Sequence, residues 1–389
     1  MPDQPALRVA FAGGGSGGHV TPALAIDDEL RAELGTDAYE PHFFGNRDRI
    51  EATLVTSMPI SFVPSAPLQR RLSFDTLRTI AINLAGIVVA LGALGRFRPT
   101  VVIATGGYVC FPVVVAARVL RALRIVRPAI AMVSIDATPG LTARLVAPLV
   151  DEVWTTFPTA TELFGRKAVQ TGPPVRASLR AVKDAPSARE RLGLDPDRVT
   201  ILVMGGSLGA RSINEAVAAL VTRRTLHPDW QVLHVSGERD YAYMQAEERA
   251  LAPGNRVVLV PYLPDPADAY AAADVVVGRA GANTLAELAV TGTPAILVPY
   301  PHHKDQHQVR NAELFAAHGA AVVVPDAELD GDKLWWTLRD VLETDRLRTM
   351  RSSARSLAPR DATAAIVARI ARAMPARVAE AEAANEAES

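Results

Sequence analysis

Two glycine-rich segments are the first places in this sequence where the residue types and their spacing could do chemistry. Gly13–Gly18 follows the apolar segment Leu7–Ala12, and Gly205–Gly209 follows Val199–Met204. A glycine turn between a strand and a helix lets the backbone approach a ligand, and the amides at the helix N-terminus favour an anion. Both segments therefore predict anion binding, with Ser207 as an added hydroxyl donor. The alternatives are tight turns without a ligand and an N-cap role for Ser207.

The first glycine segment also matches the dinucleotide-binding pattern G-x-G-x-x-G. A dinucleotide site further requires an acidic residue at the end of the second strand. Here that strand ends in Phe43–Asn46, without a carboxylate, which disfavours NAD. We expect the helix after the first glycine segment to begin near Thr21, and the helix after the second one to begin at Ala210.

His19 directly follows the first glycine segment. Ligands of parallel α/β sheets bind at the edge where the strands end, and an imidazole titrates near neutrality. His19 is therefore a candidate general base, or a donor to a developing charge. The alternative is an ordinary surface or core histidine.

A third motif follows the apolar segment Val275–Val277. The spacing of Thr284 and Glu287 matches a helix capping box. The functional alternative is that the Glu287 carboxylate accepts two hydrogen bonds from the diol of a ribose.

The chain offers little support for a metal cofactor. His303 and His307 have the i,i+4 spacing of a metal site, but no acidic partner accompanies them and Lys304 lies between them. The Asp-x-Asp sequence at Asp195 precedes a predicted strand instead of following it. We therefore expect no cofactor, and we expect amides and imidazoles near His307 to bind sugar hydroxyls.

The elements that must position these residues alternate between short apolar strands and helices, which predicts an α/β fold with parallel sheets. The pattern restarts after residue 195, so we expect two Rossmann-like domains. The predicted boundaries are 1–174 for the first domain and 175–357 for the second. Residues 358–377 are expected to form a helix that packs back on the first domain, and 378–389 a flexible tail.

Composition excludes several classes of protein. Of 389 residues, 49% are hydrophobic and 21% are charged, which excludes a chain that is disordered throughout. The net charge is −1, so we expect no nucleic-acid partner. The single cysteine, Cys110, permits no intrachain disulfide and no Cys-ligated zinc, and it favours a cytoplasmic setting. The longest apolar run, Ile80–Gly95, has 16 residues, fewer than the roughly 18–20 that cross a bilayer.

In their order along the chain, these motifs resemble the MurG family, the N-acetylglucosaminyltransferases of peptidoglycan synthesis. The segments that carry the resemblance are Gly13–Pro22, Thr105–Tyr108, Gly205–Arg211, Arg279–Thr284 with Glu287, and His307–Ala312. The resemblance implies a GT-B fold, in which two Rossmann-like domains face each other across a cleft. It also implies inverting transfer of GlcNAc from UDP-GlcNAc to the C4 hydroxyl of MurNAc in undecaprenyl-pyrophosphoryl-MurNAc-pentapeptide (lipid I). The products would be lipid II and UDP.

The resemblance implies a role for each matching residue. Ser207 and the second glycine segment would hold the diphosphate, Glu287 the ribose and Leu263 the uracil. Gln308, with His307 beside it, would reach the sugar, and Arg176 would contact the donor. The full set of donor-side positions is Arg176, Ser207, Leu263, Ala282, Asn283, Thr284, Leu285, Ala286, Glu287, His307 and Gln308. The acceptor-side positions are Ser16, Gly17, Gly18, His19 and Asp136.

One segment departs from the family pattern. Members usually carry His-Glu-Gln-Asn before a Pro-Gly pair, whereas this chain has Val133-Ser134-Ile135-Asp136. The usual glutamate is absent, and Asp136 replaces the asparagine, which makes Asp136 a second candidate base. This segment supports the alternative of a related transferase with another lipid acceptor, such as a diacylglycerol. A UDP-GlcNAc 2-epimerase, a class that shares the fold, is a second alternative. A non-catalytic nucleotide-sugar-binding subunit is a third alternative.

A basic and apolar segment predicts contact with a membrane. Arg70, Arg71 and Arg78 precede the apolar run, and Arg96 and Arg98 follow it. Basic residues and an apolar helix face favour an anionic lipid surface, here the cytoplasmic face of the plasma membrane, with the protein bound peripherally. The alternative is a buried helix, and we expect one side of the helix in the core and the other, with the arginines, exposed.

Overall fold

The computed structural model describes residues 7–47, 49, 51–67, 74–181, 183–206, 209–248, 250–302, 306–343, 345–357 and 361–372. The chain forms two compact units. Unit 1 comprises Met1–Arg176 with Asp361–Ser389, and unit 2 comprises Ala177–Arg360. Unit 1 thus extends two residues beyond the predicted boundary at 174. The predicted tail, 378–389, lies outside the described residues.

The described part of unit 1 contains a parallel sheet with the strand order β3-β2-β1-β4-β5-β6-β7. Its strands are short and mostly apolar because helices cover both faces of such a sheet. They are β1 (Leu7–Gly13), β2 (Tyr39–Gly45), β3 (Ile60–Phe62), β4 (Val101–Gly106), β5 (Ala129–Ser134), β6 (Glu152–Thr155) and β7 (Ala168–Gln170). The helices between them are α1 (Gly17–Leu34), α2 (Glu51–Leu54), α3 (Phe74–Phe97), α4 (Cys110–Ala122), α5 (Leu141–Val146) and α6 (Pro158–Phe164).

A C-terminal segment completes unit 1. Residues 362–372 are helical, and the Thr363 hydroxyl donates to the Val175 carbonyl at 3.0 Å and accepts from the Val175 amide at 3.1 Å. Arg369 also donates to both carboxylate oxygens of Glu152, at 3.0 Å each. These contacts join the end of the described chain to the unit formed by its beginning.

The described part of unit 2 contains a second parallel sheet, with the order β10-β9-β8-β11-β12-β13. Its strands are β8 (Val199–Met204), β9 (Trp230–Val235), β10 (Val257–Val260), β11 (Val275–Gly278), β12 (Ala295–Leu297) and β13 (Ala321–Val323). Its helices are α7 (Ala177–Arg180), α8 (Ala185–Arg191), α9 (Arg211–Arg223), α10 (Glu238–Glu248), α11 (Ala267–Ala272), α12 (Ala282–Thr291), α13 (His307–Ala317), α14 (Gly331–Leu342) and α15 (Arg346–Ser356).

Both sheets reverse their strand order beside the first strand of the unit. β1 lies between β2 and β4, and β8 lies between β9 and β11. Ligands of open α/β sheets bind at such a reversal, outside the carboxyl ends of the strands. The two glycine segments follow β1 and β8 and therefore lie at these positions in their own sheets.

Helix α3 contains the apolar run Ile80–Gly95 and extends beyond it at both ends. Within the described residues it is the one helix long and apolar enough to cross a membrane, over the 22 residues of Thr76–Phe97 with a mean hydropathy of 1.9. The helix is longer than the 16-residue apolar run because it continues through the flanking polar and basic residues. A helix packed in a folded unit can have the same length and composition. The burial of α3 therefore has to decide between a membrane-spanning helix and a packed one.

One side of α3 is built into unit 1. The Asn83 side chain donates to the carbonyls of Ala66 (3.1 Å) and Thr79 (2.8 Å), and Ala90 and Leu94 are fully buried. The opposite side exposes apolar residues at helical spacing, namely Leu77, Ile80, Leu84, Val88 and Val89. The expected division into a core side and an exposed side is confirmed for the described residues, and Arg78, Arg96 and Arg98 are exposed.

Candidate active site

The first glycine segment forms a turn and the first residues of α1. Ser16 is the N-cap of α1 in an extended conformation, and the His19 amide donates to the Ser16 carbonyl at 3.1 Å. Gly17, Gly18 and His19 therefore form the first helical turn, where main-chain amides favour an anion. The predicted helix start near Thr21 is wrong, because the glycines adopt helical conformation and Pro22 lies inside the helix.

The loop after β4 packs directly on this segment. The Gly14 amide donates to the Gly106 carbonyl at 3.2 Å, and the Thr105 hydroxyl donates to the His19 carbonyl at 2.6 Å. The Tyr108 ring lies beside Gly15 and is partly exposed. The ends of β1 and β4 thus form one continuous surface at the edge of the unit 1 sheet.

His19 is held at this surface by a glycine. A Cβ atom on Gly106 would lie 2.2 Å from Nδ1 of the His19 ring, so only glycine leaves room for the imidazole. The His19 side chain is half-buried. The structure therefore places the predicted imidazole at the junction of β1 and β4 and restricts its orientation.

Glu51 is a buried carboxylate that the sequence did not single out. Its Oε2 accepts from the Gly15 amide at 3.1 Å and its Oε1 from the Asn46 amide at 2.8 Å. The side chain has no exposed surface. A Cβ atom on Gly14 would lie 2.3 Å from Glu51 Oε1, so this glycine makes room for the carboxylate. Glu51 therefore sets the conformation of the first glycine segment from inside.

Asp136 lies at the same sheet edge, just after β5. It is half-buried, whereas its neighbours Ile135 and Ala137 are buried. The Thr159 hydroxyl donates to the Ala137 carbonyl at 2.8 Å and anchors the segment. Because β5 is the neighbour of β4, Asp136 belongs to the same edge as His19.

Arg176 ends the first of the two chain segments that form unit 1, and its charge acts on Asp28 of α1. Burial raises the pKa of the Asp28 carboxyl on α1, the Asp27 charge acts in the same direction, and the Arg176 charge acts against it. The donor contact implied for Arg176 stays a prediction.

In unit 2, the second glycine segment follows β8. Ser207 and Leu208 lie outside the described residues, so the diphosphate role of Ser207 stays a prediction. Helix α9 begins at Arg211 with Ala210 as its N-cap, which makes the N-cap alternative for Ser207 wrong. Gly209 packs against β9, where an added Cβ would lie 2.2 Å from the Ser236 carbonyl oxygen.

A buried polar network holds the loops after β8 and β9. The Asn214 amide group donates to the Ser236 carbonyl (2.9 Å) and to Asp240 (3.0 Å), and its oxygen lies 3.0 Å from His234 Nε2. Hydrogen bonds from Arg239 lower the pKa of the Asp240 carboxyl. Sequence reasoning missed this network because its members are far apart in the chain.

The first turn of α12 corrects the capping-box interpretation. The helix begins at Ala282 with Gly281 as its N-cap, so Thr284 already lies inside it. Ala282, Asn283 and Thr284 are half-buried, whereas the side chains of Leu285 and Ala286 lie in the core. Leu285 and Ala286 therefore offer a ligand only their main chain.

Glu287 is oriented by a buried tyrosine. The Tyr270 hydroxyl donates to Glu287 Oε2 at 2.8 Å, and the Glu287 side chain is half-buried. Leu263, implied at the uracil, is half-buried in the loop between β10 and α11. Within unit 2, the implied uracil and ribose positions are thus linked by α11, which carries Tyr270.

The remaining sugar-side residues begin α13. His307 is its first residue, and Gln308 Oε1 accepts from the Tyr300 amide at 2.9 Å. The Asn311 side chain donates to the Ala280 carbonyl at 3.3 Å, which ties α13 to the loop before α12. In the part of the chain that the structure describes, no group of three His, Cys, Asp or Glu residues has metal-site geometry, and His303 lies outside that part.

Comparison with known proteins identifies the family of this chain. The N-terminal domain of glycosyltransferase family 28 matches residues 9–154, and the C-terminal domain of that family matches residues 200–366. The UDP-N-acetylglucosamine–N-acetylmuramyl-(pentapeptide) pyrophosphoryl-undecaprenol N-acetylglucosamine transferase of Desulfitobacterium hafniense (strain Y51) is 38% identical over 93% of this chain and 98% of its own. The Moorella thermoacetica enzyme of the same name is 38% identical over 93% of this chain and 97% of its own.

A solved structure gives the same result. The crystal structure of Acinetobacter baumannii MurG superposes with a TM-score of 0.72 and 25% identity, covering 95% of this chain and 100% of that one. The two Rossmann-like units have the GT-B fold, and the family matches show that the chain is a glycosyltransferase. The chain belongs to glycosyltransferase family 28 and, within it, to the MurG family. The resemblance found in the sequence is thereby confirmed.

Proposed function

We propose that this enzyme transfers GlcNAc from UDP-GlcNAc to the C4 hydroxyl of MurNAc in lipid I, with inversion, and releases lipid II and UDP. The observation that carries the proposal is the similarity, over more than nine-tenths of the chain, to transferases whose names specify this donor and this acceptor. The positions of the half-buried polar residues at the strand ends of each unit support it.

Unit 2 would bind the donor. The glycine segment Gly205–Gly209 and the N-terminal amides of α9 suit a diphosphate, because helix N-termini favour anions. Glu287 suits the ribose hydroxyls, since a carboxylate accepts from a diol, and Leu263 would contact the uracil. Gln308 would reach the sugar, as the family motif implies. These assignments follow from the family motifs and from the positions of these residues after β8, β10, β11 and β12.

Unit 1 would bind the acceptor at the joined ends of β1, β4 and β5. The first turn of α1, with Gly17 and Gly18, suits the pyrophosphate of the lipid. His19 and Asp136 are the titratable groups that this edge offers to a sugar hydroxyl.

The reaction needs a base and stabilisation of the leaving group. The C4 oxygen of MurNAc forms a bond to C1 of GlcNAc while the bond from C1 to the diphosphate oxygen breaks, and its electron pair leaves with UDP. The proton of the C4 hydroxyl passes to His19 or to its rival Asp136. Main-chain amides at the second glycine segment would stabilise the charge on the departing UDP.

Unit 1 also carries a surface suited to the membrane in which lipid I resides. The exposed side of α3 and the turn after α4, where Leu123 and Ile125 are exposed, are apolar. Arg78, Arg96 and Arg124 are exposed around them. We propose that this surface, the α3 face, lies on the anionic cytoplasmic leaflet without crossing it, because the other side of α3 is packed in unit 1.

The test is the release of UDP from UDP-GlcNAc with lipid I, with a diacylglycerol, and without an acceptor. Of these three conditions, we expect UDP release only with lipid I. Release with diacylglycerol only would favour the alternative acceptor that the altered segment around Asp136 suggests. Conversion of UDP-GlcNAc to its C2 epimer without any acceptor would establish the epimerase instead.

A further inference from the structure

Tyr270 is a buried tyrosine whose hydroxyl binds Glu287, a residue of the proposed donor site. It lies on α11 with 2% of its surface exposed. Its hydroxyl donates to Glu287 Oε2 at 2.8 Å, across 17 positions of the sequence. A buried phenol in contact with a half-buried carboxylate can orient that carboxylate without touching the ligand itself.

The position of Glu287 gives this hydrogen bond a role in binding. Its helix begins at Ala282 with Gly281 as N-cap, so Glu287 lies beyond the first turn and does not cap the helix. A glutamate side chain has several rotamers, and ordering it when a ligand binds lowers the affinity. The hydrogen bond from Tyr270 selects one orientation before the ligand arrives.

Helix α11 also connects Tyr270 to the implied uracil position. The Tyr270 amide donates to the Pro266 carbonyl at 3.0 Å, and Asp265 accepts from the Ala267 amide at 3.0 Å. The loop that contains Leu263 is therefore joined to α11 by hydrogen bonds at its last residues. A shift of α11 would therefore move both Leu263 and the Tyr270 hydroxyl that binds Glu287.

We propose that Tyr270 is a positioning residue of the donor site, which orients the Glu287 carboxylate toward the ribose diol of a uridine diphosphate and sets its distance from the uracil loop. The inference rests on the proposed donor. Burial, together with the Glu287 charge, raises the pKa of Tyr270 well above its usual value, so the hydroxyl remains a donor throughout the range in which enzymes work.

The test is titration calorimetry of the full-length protein with UDP and with 2′-deoxy-UDP. The change Tyr270→Phe removes one hydroxyl and leaves the ring. We expect the affinity for UDP to fall about tenfold, because a hydrogen bond to a charged group is lost. The affinity for 2′-deoxy-UDP should fall less, so the variant should discriminate less between the two nucleotides.

Tyr39→Phe is the matched control. Tyr39 is also buried, and its hydroxyl donates to the Asp27 carboxylate at 2.9 Å in unit 1. Both variants lose a buried tyrosine–carboxylate hydrogen bond, but only Tyr270→Phe should change nucleotide affinity. An equal loss of UDP affinity in both variants would show a general effect of destabilisation and overturn the inference.

Two further measurements separate the inference from the proposed function. In a Glu287→Ala background, Tyr270→Phe should have no additional effect on UDP affinity, and an additive loss would overturn the positioning role. Glu287→Asp breaks the same hydrogen bond from the other side and should also reduce discrimination. Unchanged UDP binding by Tyr270→Phe contradicts this inference alone, whereas failure of the wild type to bind UDP contradicts the donor as well.

Discussion

Glu51 in unit 1 and Glu287 in unit 2 are two carboxylates near the strand ends of related sheets, and their surroundings differ. Glu51 is fully buried, and its two oxygens accept from the amides of Gly15 and Asn46. Glu287 is half-buried, and a tyrosine hydroxyl holds one of its oxygens. The first carboxylate shapes the backbone of a loop, whereas the second is presented at the surface.

The difference shows that a carboxylate at the ligand-binding edge of a sheet is not by itself a ligand-binding group. Burial and the type of partner decide its role: Glu51 accepts hydrogen bonds from main-chain amides, whereas a side-chain donor orients Glu287. We therefore expect substitutions in unit 1 to change turnover and acceptor use. Substitutions in unit 2 should change nucleotide affinity.

The largest effect expected from this comparison is on turnover, at the unit 1 edge. His19→Ala should lower kcat by about 100-fold or more if the imidazole is the base or stabilises charge, and UDP affinity should stay near that of the wild type. Steady-state kinetics with lipid I and calorimetry with UDP measure the two quantities. Asp136→Asn, assayed in parallel, decides between the two candidate bases: the variant that keeps nearly full turnover is not the base.

In unit 2, Glu287→Ala should weaken UDP-GlcNAc binding by about 1.5–3 kcal/mol, because the ribose diol loses a charged acceptor. Calorimetry on the folded variant measures the change. Glu313→Ala, which removes an exposed carboxylate from α13, is the control and should bind the donor normally. Unchanged donor affinity of Glu287→Ala would remove Glu287 from the ribose site.

Glu51→Gln tests the opposite role. The amide group of glutamine would face a main-chain N–H where the carboxylate now accepts, so the free energy of unfolding should fall by about 1–2 kcal/mol. The kcat/KM for the acceptor should fall about tenfold, which corresponds to about 1.4 kcal/mol. The affinity for UDP should stay unchanged. Thermal unfolding and kinetics with lipid I are the measurements. A loss of UDP affinity would mean that the contrast between the two carboxylates is wrong.

The sequence predicted those parts of the molecule that depend on local pattern. Short apolar strands and the glycines after β1 and β8 predict two parallel α/β units. The family motifs select Glu287 and His19 as candidate site residues. The starts of α1 and α12 were wrong because a glycine run and a Thr-x-x-Glu spacing are compatible with more than one helix start.

The supporting contacts could not be predicted from local pattern. Glu51 reaches Gly15 across 36 positions, and Tyr270 reaches Glu287 across 17. No spacing rule relates such pairs, since they meet only when strands and helices have packed. A polar residue in the segment around Glu51 looks like solvent-exposed surface until the fold buries it.

The smallest effect expected is at the membrane, and it tests whether unit 1 has a second role that unit 2 lacks. Arg78→Glu on the exposed side of α3 should weaken binding to anionic vesicles, because each basic residue near such a surface contributes about 1 kcal/mol. Arg70 and Arg71, which the sequence also placed here, lie outside the described residues. Val88→Glu should act similarly by removing an apolar contact, since 69% of Val88 is exposed.

Vesicle sedimentation at low and high salt measures this binding. We expect the wild type to bind anionic but not neutral vesicles and to be released by salt, because screening weakens attraction between exposed charges. Arg348→Glu in unit 2 is the control: the Arg348 side chain is 90% exposed, and the substitution makes the same charge reversal outside the α3 face. This variant should bind vesicles like the wild type. If wild type and Arg78→Glu are equally indifferent to anionic vesicles, the α3 face is not a membrane surface. Its exposed leucines and valines would then need a different explanation.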